Sequence, residues 1–197
     1  MNLKREIRIL GIDDGPYSKS RDKKTILIGT VFRGGDWIDG VLKTEVKVDG
    51  MDSTKKIIKQ VSHSRHYEQL QYLILDGITF GGLNVVDIEK LYDKLKLPVL
   101  VVSRKHPNFN KFKKALEHVS NTKKRWNKIK KAGKPIEVDT TQNNKEKPIY
   151  VQYKGLNKQT AKEVVKLSST RSRIPEPIRV SHLIATGVIK GESYGNA

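Results

Sequence analysis

Apolar residues in this chain come in short blocks with polar stops, and the spacing changes along its length. Residues 7–12 (IRILGI) form an apolar run that ends abruptly at Asp13-Asp14-Gly15-Pro16. Residues 25–32 (TILIGTVF) are β-branched and apolar and lead into Gly34-Gly35. Residues 37–48 alternate loosely through Ile38, Val41, Val46 and Val48. Two apolar runs and a third that alternates, separated by turn residues, predict a three-stranded antiparallel meander. Asp52-Ser53-Thr54 then offers a helix cap, and Ile57, Ile58 and Val61 follow at helical spacing.

The middle of the chain reads as parallel β/α units. Residues 70–75 (LQYLIL) predict a buried strand that stops at Asp76-Gly77, and residues 85–95 a helix. Residues 98–102 (PVLVV) predict another buried strand, and residues 108–119 another amphipathic helix. From 120 to 148 the character changes. Seven Lys or Arg fall between Lys123 and Lys134 with no acid among them. A basic insertion around 121–148 is expected there. Residues 149–153 predict a strand, 158–167 a helix and 178–189 a final helix. The sum is one α/β domain over 1–197: a mixed sheet of five to six strands, a meander plus parallel β/α units, with helices on both faces.

Composition narrows the chemistry. With no cysteine among 197 residues, disulfides, thiolate zinc sites and cysteine nucleophiles are excluded. Any metal must sit on carboxylates, imidazoles and water, which suits Mg²⁺ and also Mn²⁺. No apolar run approaches the roughly 20 residues that span a bilayer, so a cytoplasmic protein without a membrane partner is expected. The net charge of +18 attracts polyanions through counterion release. It equally describes a lysine-rich solvated surface and says nothing of catalysis.

Asp13 and Asp76 each follow a buried strand and are each followed within two residues by glycine. Ligands of α/β sheets gather beyond strand ends, and two carboxylates from neighbouring strands can share a divalent metal. An Asp-Gly turn is the plainer reading of either one alone. Asp49 and Asp52 lie after the third strand, where both can be metal-adjacent, although Asp52 also suits a helix cap; Asp14 is a further acid beside Asp13. Asp87 and Asp93 fall on the solvated face of a helix. The loop Gly77-Ile78-Thr79-Phe80-Gly81-Gly82 can bring backbone N–H groups to a phosphate or a base, with Phe80 available for stacking. Arg104 and Lys105 follow a strand on the same edge of the sheet, and Lys123, Lys124 and Arg125 open the basic segment, all placed to meet phosphates. His182 lies on the inner face of the last helix with Ile178 and Ile189, where a core histidine is the plainer reading and the carboxylates are a second target.

In order, Gly11-Ile12-Asp13, Leu75-Asp76-Gly77 and Arg173-Ile174-Pro175-Glu176-Pro177 with His182 resemble the three signature regions of endonuclease V. Asp76-Gly77-Ile78-Thr79-Phe80-Gly81-Gly82 followed by Asn84-Val85-Val86-Asp87-Ile88 resembles more closely the archaeal endonuclease dU family, and the likeness runs from Ile7 to Gly191. The resemblance implies a ribonuclease H-like fold and a Mg²⁺-dependent DNA repair endonuclease. It gives Asp13 and Asp76 the metal and His182 a catalytic role. It also implies action near deaminated bases, deoxyuridine foremost. The intervening glutamate of endonuclease V has no clean counterpart, Asp49-Gly50 and Asp52 standing in that region, and its Pro-Tyr-Ile-Pro wedge is absent. DNA, with RNA as a second possibility, is the expected partner, and the chain is expected to be a monomer or weak dimer. A catalytically inactive nucleic-acid-binding module on the same fold is the alternative, and a nucleotide-handling protein using residues 77–82 a third.

Overall fold

A computed structural model describes residues 4–141 and 147–193. The chain opens with the expected meander: β1 (Arg8–Asp14), β2 (Lys24–Arg33) and β3 (Trp37–Lys47) pair antiparallel in sequence. Gly34 makes the turn between β2 and β3 at a φ of 56°, a left-handed backbone that suits glycine. After α1 (Ser53–Ser62) and a single 3-10 turn comes β4 (Tyr72–Asp76), parallel to β1. A short hairpin follows, β5 (Thr79–Phe80) with β6 (Asn84–Val85), then α2 (Ile88–Leu95). Next are β7 (Val99–Ser103), parallel to β4, α3 (Phe109–Leu116), α4 (Thr122–Lys131) and β8 (Ile136–Val138). The chain then forms β9 (Ile149–Lys154), α5 (Lys158–Ser168) and α6 (Glu176–Lys190).

The main sheet has seven strands in the order β3-β2-β1-β4-β7-β9-β8, so β1 and β4 are neighbours near its centre. Five to six strands were expected; the additional one is β8, three residues contributed by the basic segment and paired antiparallel with β9. Strand side chains alternate between two cores. Leu10, Ile12, Leu73, Leu75, Val99 and Val101 face α1, α2 and α4. Ile9, Ile74, Leu100 and Val102 face α5 and the start of α6. Helices therefore cover both faces.

Element ends differ from the sequence reading where a distant partner intervenes. β1 runs past its apolar block because β2 continues the ladder, pairing Asp13 with Ile28 and Asp14 with Leu27. The second helix starts at Ile88 rather than 85, since Asn84 and Val85 are taken by the hairpin. Asp87, expected to be merely solvated, caps that helix and accepts from Lys90 N at 3.0 Å. Asp52 precedes α1, but its side chain makes no cap hydrogen bond; Oδ1 accepts instead from Asn84 Nδ2 at 2.7 Å and from Lys47 N at 3.2 Å.

The basic segment is no loose insertion where it is described. α4 packs on the first core through Ile129, and Arg125 is 1% exposed. Its guanidinium donates to Ser120 O at 2.8 Å, Gly50 O at 2.7 Å, Asp49 O at 2.7 Å and also to Leu83 O. Lys128 Nζ adds a bond to Val85 O at 2.8 Å. These bonds fasten α4 to the loop after β3 and to the β5–β6 hairpin. Residues 142–146 of the segment lie outside the described residues. Among the described residues no helix is long and apolar enough to cross a membrane.

Arg125→Ala should lower unfolding stability by about 3 kcal/mol or more, because it strands buried carbonyls and opens a cavity. Lys124→Ala, at an exposed position one residue earlier, should leave stability within about 0.5 kcal/mol. Urea denaturation of both variants reads the difference; equal effects would contradict the buried position of Arg125.

Candidate active site

The strand period of two decides which side chains share the site. Ile9, Gly11 and Asp13 point to the α6 side of β1, and Ile74 and Asp76 to the same side of β4. The parallel register sets Ile12 opposite Leu75, so Asp13 and Asp76 stand next to each other at adjacent strand ends. On β7, Val102 lies opposite Asp76, and Arg104 follows two residues later on that same side.

α6 closes the site from above, and its approach depends on Gly11. A Cβ there would lie 2.3 Å from the carbonyl carbon of Pro177 and 2.4 Å from its Cβ. Thr30 Oγ1 donates to Pro177 O at 2.6 Å and Ser181 Oγ to Gly11 O at 2.9 Å, tying the helix to β1 and β2. Glu176, 3% exposed, is held by the Arg179 guanidinium at 2.6 Å and stays out of the cleft. One turn further on, His182 Nδ1 meets Asp13 Oδ2 at 2.8 Å. The imidazole is 39% exposed, facing the carboxylate rather than packed among Ile178 and the sheet. Ile189, expected on the inner face, is 47% exposed, with its Cγ1 against Gly15 just after β1.

Charge is crowded at this end of the sheet. Asp13 is 5% exposed, and burial raises its carboxyl to about 7; the His182 bond acts the other way, while Asp76 and Asp14 add like charge. The same bond to Asp13 raises His182. Asp14 points to the opposite face, where burial raises it too, and its Oδ2 accepts from Gly81 N at 2.6 Å. Asp76 is paired with Arg104, whose Nη1 lies 2.9 Å from both carboxylate oxygens. Asp13, Asp14, Asp76, Arg104 and His182 line one open cleft of about 420 Å³ together with Pro16, Tyr17, Thr186 and Lys190. A larger cleft of about 650 Å³ beside Lys166 and Arg171 has a single carboxylate in its lining, Asp139, which accepts from Thr141.

Not every expected residue reaches the cleft. Asp49 Oδ1 accepts from Leu83 N at 2.7 Å, and Asp52 is held by Asn84. Both follow β3, which β2 separates from β1, two strand spacings or roughly 9–10 Å away. Phe80 is fully buried in the first core and offers no face for stacking. In the same loop Gly77 N donates to Val102 O and Gly81 N to Asp14, and Gly82 backs onto Asp49. The loop thus braces the site, with Thr79 partly buried. Arg125 is enclosed, whereas Lys105, Lys123 and Lys124 are exposed. Tyr17, Thr186 and Lys190 were not foreseen. Thr186 and Lys190 follow His182 at i+4 and i+8, so helical spacing carried that signal; Tyr17 carried none.

Asp13 and Asp76 suit a divalent metal. A buried carboxylate with two further acids beside it favours a cation, and hard oxygen donors match Mg²⁺ or Mn²⁺. Among the described residues no three His, Asp or Glu side chains gather into a ready-made metal cluster. Mg²⁺ commonly takes only one or two carboxylates and completes its shell with water and phosphate oxygens.

An antiparallel meander along one side of the sheet with parallel strands beyond it, covered by helices, is a ribonuclease H-like fold. Endonuclease V of Ciona intestinalis, solved with a 24mer DNA containing inosine followed by a ribo-adenosine, has this fold at 19% identity; the TM-score is 0.56, over 89% of this chain and 82% of that one. The endonuclease dU family profile matches residues 5–189, and the chain belongs to that family. A UPF0215 protein of Methanosarcina acetivorans is 52% identical over 196 residues, covering 100% of this chain and 97% of its own length. A solved Archaeoglobus fulgidus protein superposes with a TM-score of 0.82 at 37% identity, over 93% of this chain and 98% of that one.

Gly11→Ala should cost about 1–3 kcal/mol of stability by forcing α6 off the sheet, and should separate His182 from Asp13. Thermal unfolding together with the NMR signal of the His182 imidazole reads both effects. An unperturbed imidazole would contradict the claim that Gly11 sets the approach of α6.

Proposed function

We propose that the protein is a divalent-metal-dependent endonuclease that hydrolyses phosphodiester bonds in DNA near deaminated bases, deoxyuridine foremost, in repair. The observation that carries this reading is the pair of carboxylates, Asp13 and Asp76, on adjacent parallel strand ends, with His182 against the first. Family membership and the ribonuclease H-like fold support a nuclease acting on DNA. The name of the family supports deoxyuridine, and the missing endonuclease V wedge argues against a close copy of inosine recognition.

Asp13 and Asp76 would hold the metal, Mg²⁺ or Mn²⁺. When bound, it supplies Lewis-acid stabilisation of phosphate charge and a more acidic water. Asp13 fixes the His182 ring through Nδ1, which directs Nε2 away from the aspartate as the nitrogen that exchanges a proton with water or the leaving oxygen. The target base must leave the helical stack, at a cost of a few kcal/mol that is smallest where pairing is already weak. Exposed Lys105, Lys123 and Lys124 supply phosphate attraction, with the overall +18 charge behind them.

One observation favours a second reading, a nucleic-acid-binding module without catalysis. Asp49 and Asp52, the acids closest in sequence to the missing glutamate, are both engaged in structural hydrogen bonds.

Oligonucleotides carrying uracil, hypoxanthine, xanthine or no lesion separate the two. The nuclease reading expects Mg²⁺-dependent nicking, with uracil cut fastest, and no nicking by Asp13→Ala or Asp76→Ala. His182→Ala should keep DNA binding and lose about 10² to 10⁴-fold in single-turnover rate. Tight binding without cleavage of any of these DNAs would give the module reading.

A further inference from the structure

The contact between Arg104 and Asp76 has an unusual form for an arginine–carboxylate pair. A fork would put two nitrogens on two oxygens. Here a single nitrogen, Nη1, is 2.9 Å from Oδ1 and 2.9 Å from Oδ2, while Nε and Nη2 donate to no group among the described residues. A nitrogen equidistant from both oxygens occupies the seat a chelated cation takes. Mg²⁺ would stand at about 2.0–2.1 Å from its oxygens, so Nη1 and a metal cannot share that carboxylate face. The Arg104 side chain is 33% exposed, and Asp76 only 10%. The arginine can therefore withdraw into the cleft while the aspartate stays in place, provided that another cation takes its seat, because a mostly buried carboxylate left unpaired is costly.

We propose that Arg104 is a displaceable counter-ion: it holds Asp76 before metal binds and passes to a substrate phosphodiester as metal arrives, so that metal and phosphodiester strengthen each other's binding. The inference rests on the reading that Asp76 holds metal. Each ligand removes an obstacle to the other. The phosphate draws the guanidinium from Asp76 and frees the seat, and the metal expels the guanidinium with its donors free to take a phosphate. Such coupling is reciprocal by thermodynamic necessity. Metal-free protein is spared an uncompensated carboxylate on Asp76, next to Asp13. Bare cations bind it weakly until nucleic acid is present.

The test is Mn²⁺ binding by electron paramagnetic resonance on the free protein, followed by affinity for a short undamaged duplex with and without saturating Mn²⁺. Without DNA, Arg104→Ala should bind Mn²⁺ about tenfold more tightly than the wild type, within the usual range of such couplings. Arg104→Gln, which keeps the length and drops the charge, should match it. Lys105→Ala removes the same charge from the next residue without touching Asp76, and should bind Mn²⁺ like the wild type. In the wild type, Mn²⁺ should improve duplex affinity several-fold more than it does in Arg104→Ala. Mn²⁺ bound at a site lost in Asp13→Ala, yet indifferent to Arg104, overturns the coupling and leaves the metal-site reading standing. Equal tightening by Lys105→Ala overturns it as well, since general charge would then explain the effect. Absence of any Mn²⁺ site sensitive to Asp13→Ala overturns both.

Discussion

Two carboxylates brought together at the dry end of a sheet repel each other, and the surroundings of Asp13 and Asp76 are organised around relieving that repulsion. The parallel register of β1 with β4 makes them neighbours, and the strand period turns both toward α6. Each is then given a different hydrogen-bonding partner: the His182 imidazole from above for Asp13, the Arg104 guanidinium from beyond β7 for Asp76. Burial raises the Asp13 carboxyl to about 7, and the His182 bond acts against that shift. Removing the compensation would leave a desolvated like-charge pair, which folding alone would not tolerate.

The rest of the fold serves to hold those partners at their distances. Gly11 lets Pro177 lie against β1, and Thr30 and Ser181 hold the helix at that depth. On the opposite face, Asp14 anchors the β5–β6 hairpin, Asp49 accepts from the same hairpin, and Arg125 gathers the carbonyls of both loops. A residue of the basic segment thus acts as an internal brace, and lysines around it keep the exposed charge.

Much of this was legible in the chain. Short apolar blocks marked the strands, and their abrupt ends marked Asp13 and Asp76. The order of the Gly-Ile-Asp, Asp-Gly and Pro-Glu-Pro strings pointed to the fold, whereas the helical position of His182 fitted a core histidine and only the resemblance turned it toward the carboxylates. What stayed hidden were choices made by distant partners. Asp52 stands where a cap would, yet Asn84, far along the chain, captures it. Arg125 carries a charge that in sequence is indistinguishable from Lys124; only the ring of carbonyls around it reveals burial. Phe80 lies in a glycine-rich loop that looks exposed, and hairpin pairing drives it into the core.

We propose Asp13 and Asp76 as the seat of a divalent cation that displaces Arg104 from Asp76 and leaves His182 on Asp13. Anomalous diffraction from crystals soaked in Mn²⁺ tests it most directly. A single strong peak, or a close pair, is expected between the two carboxylates, with Nη1 of Arg104 moved off Asp76. A crystal that takes up Mn²⁺ elsewhere, with Arg104 still seated on both oxygens of Asp76, would contradict it.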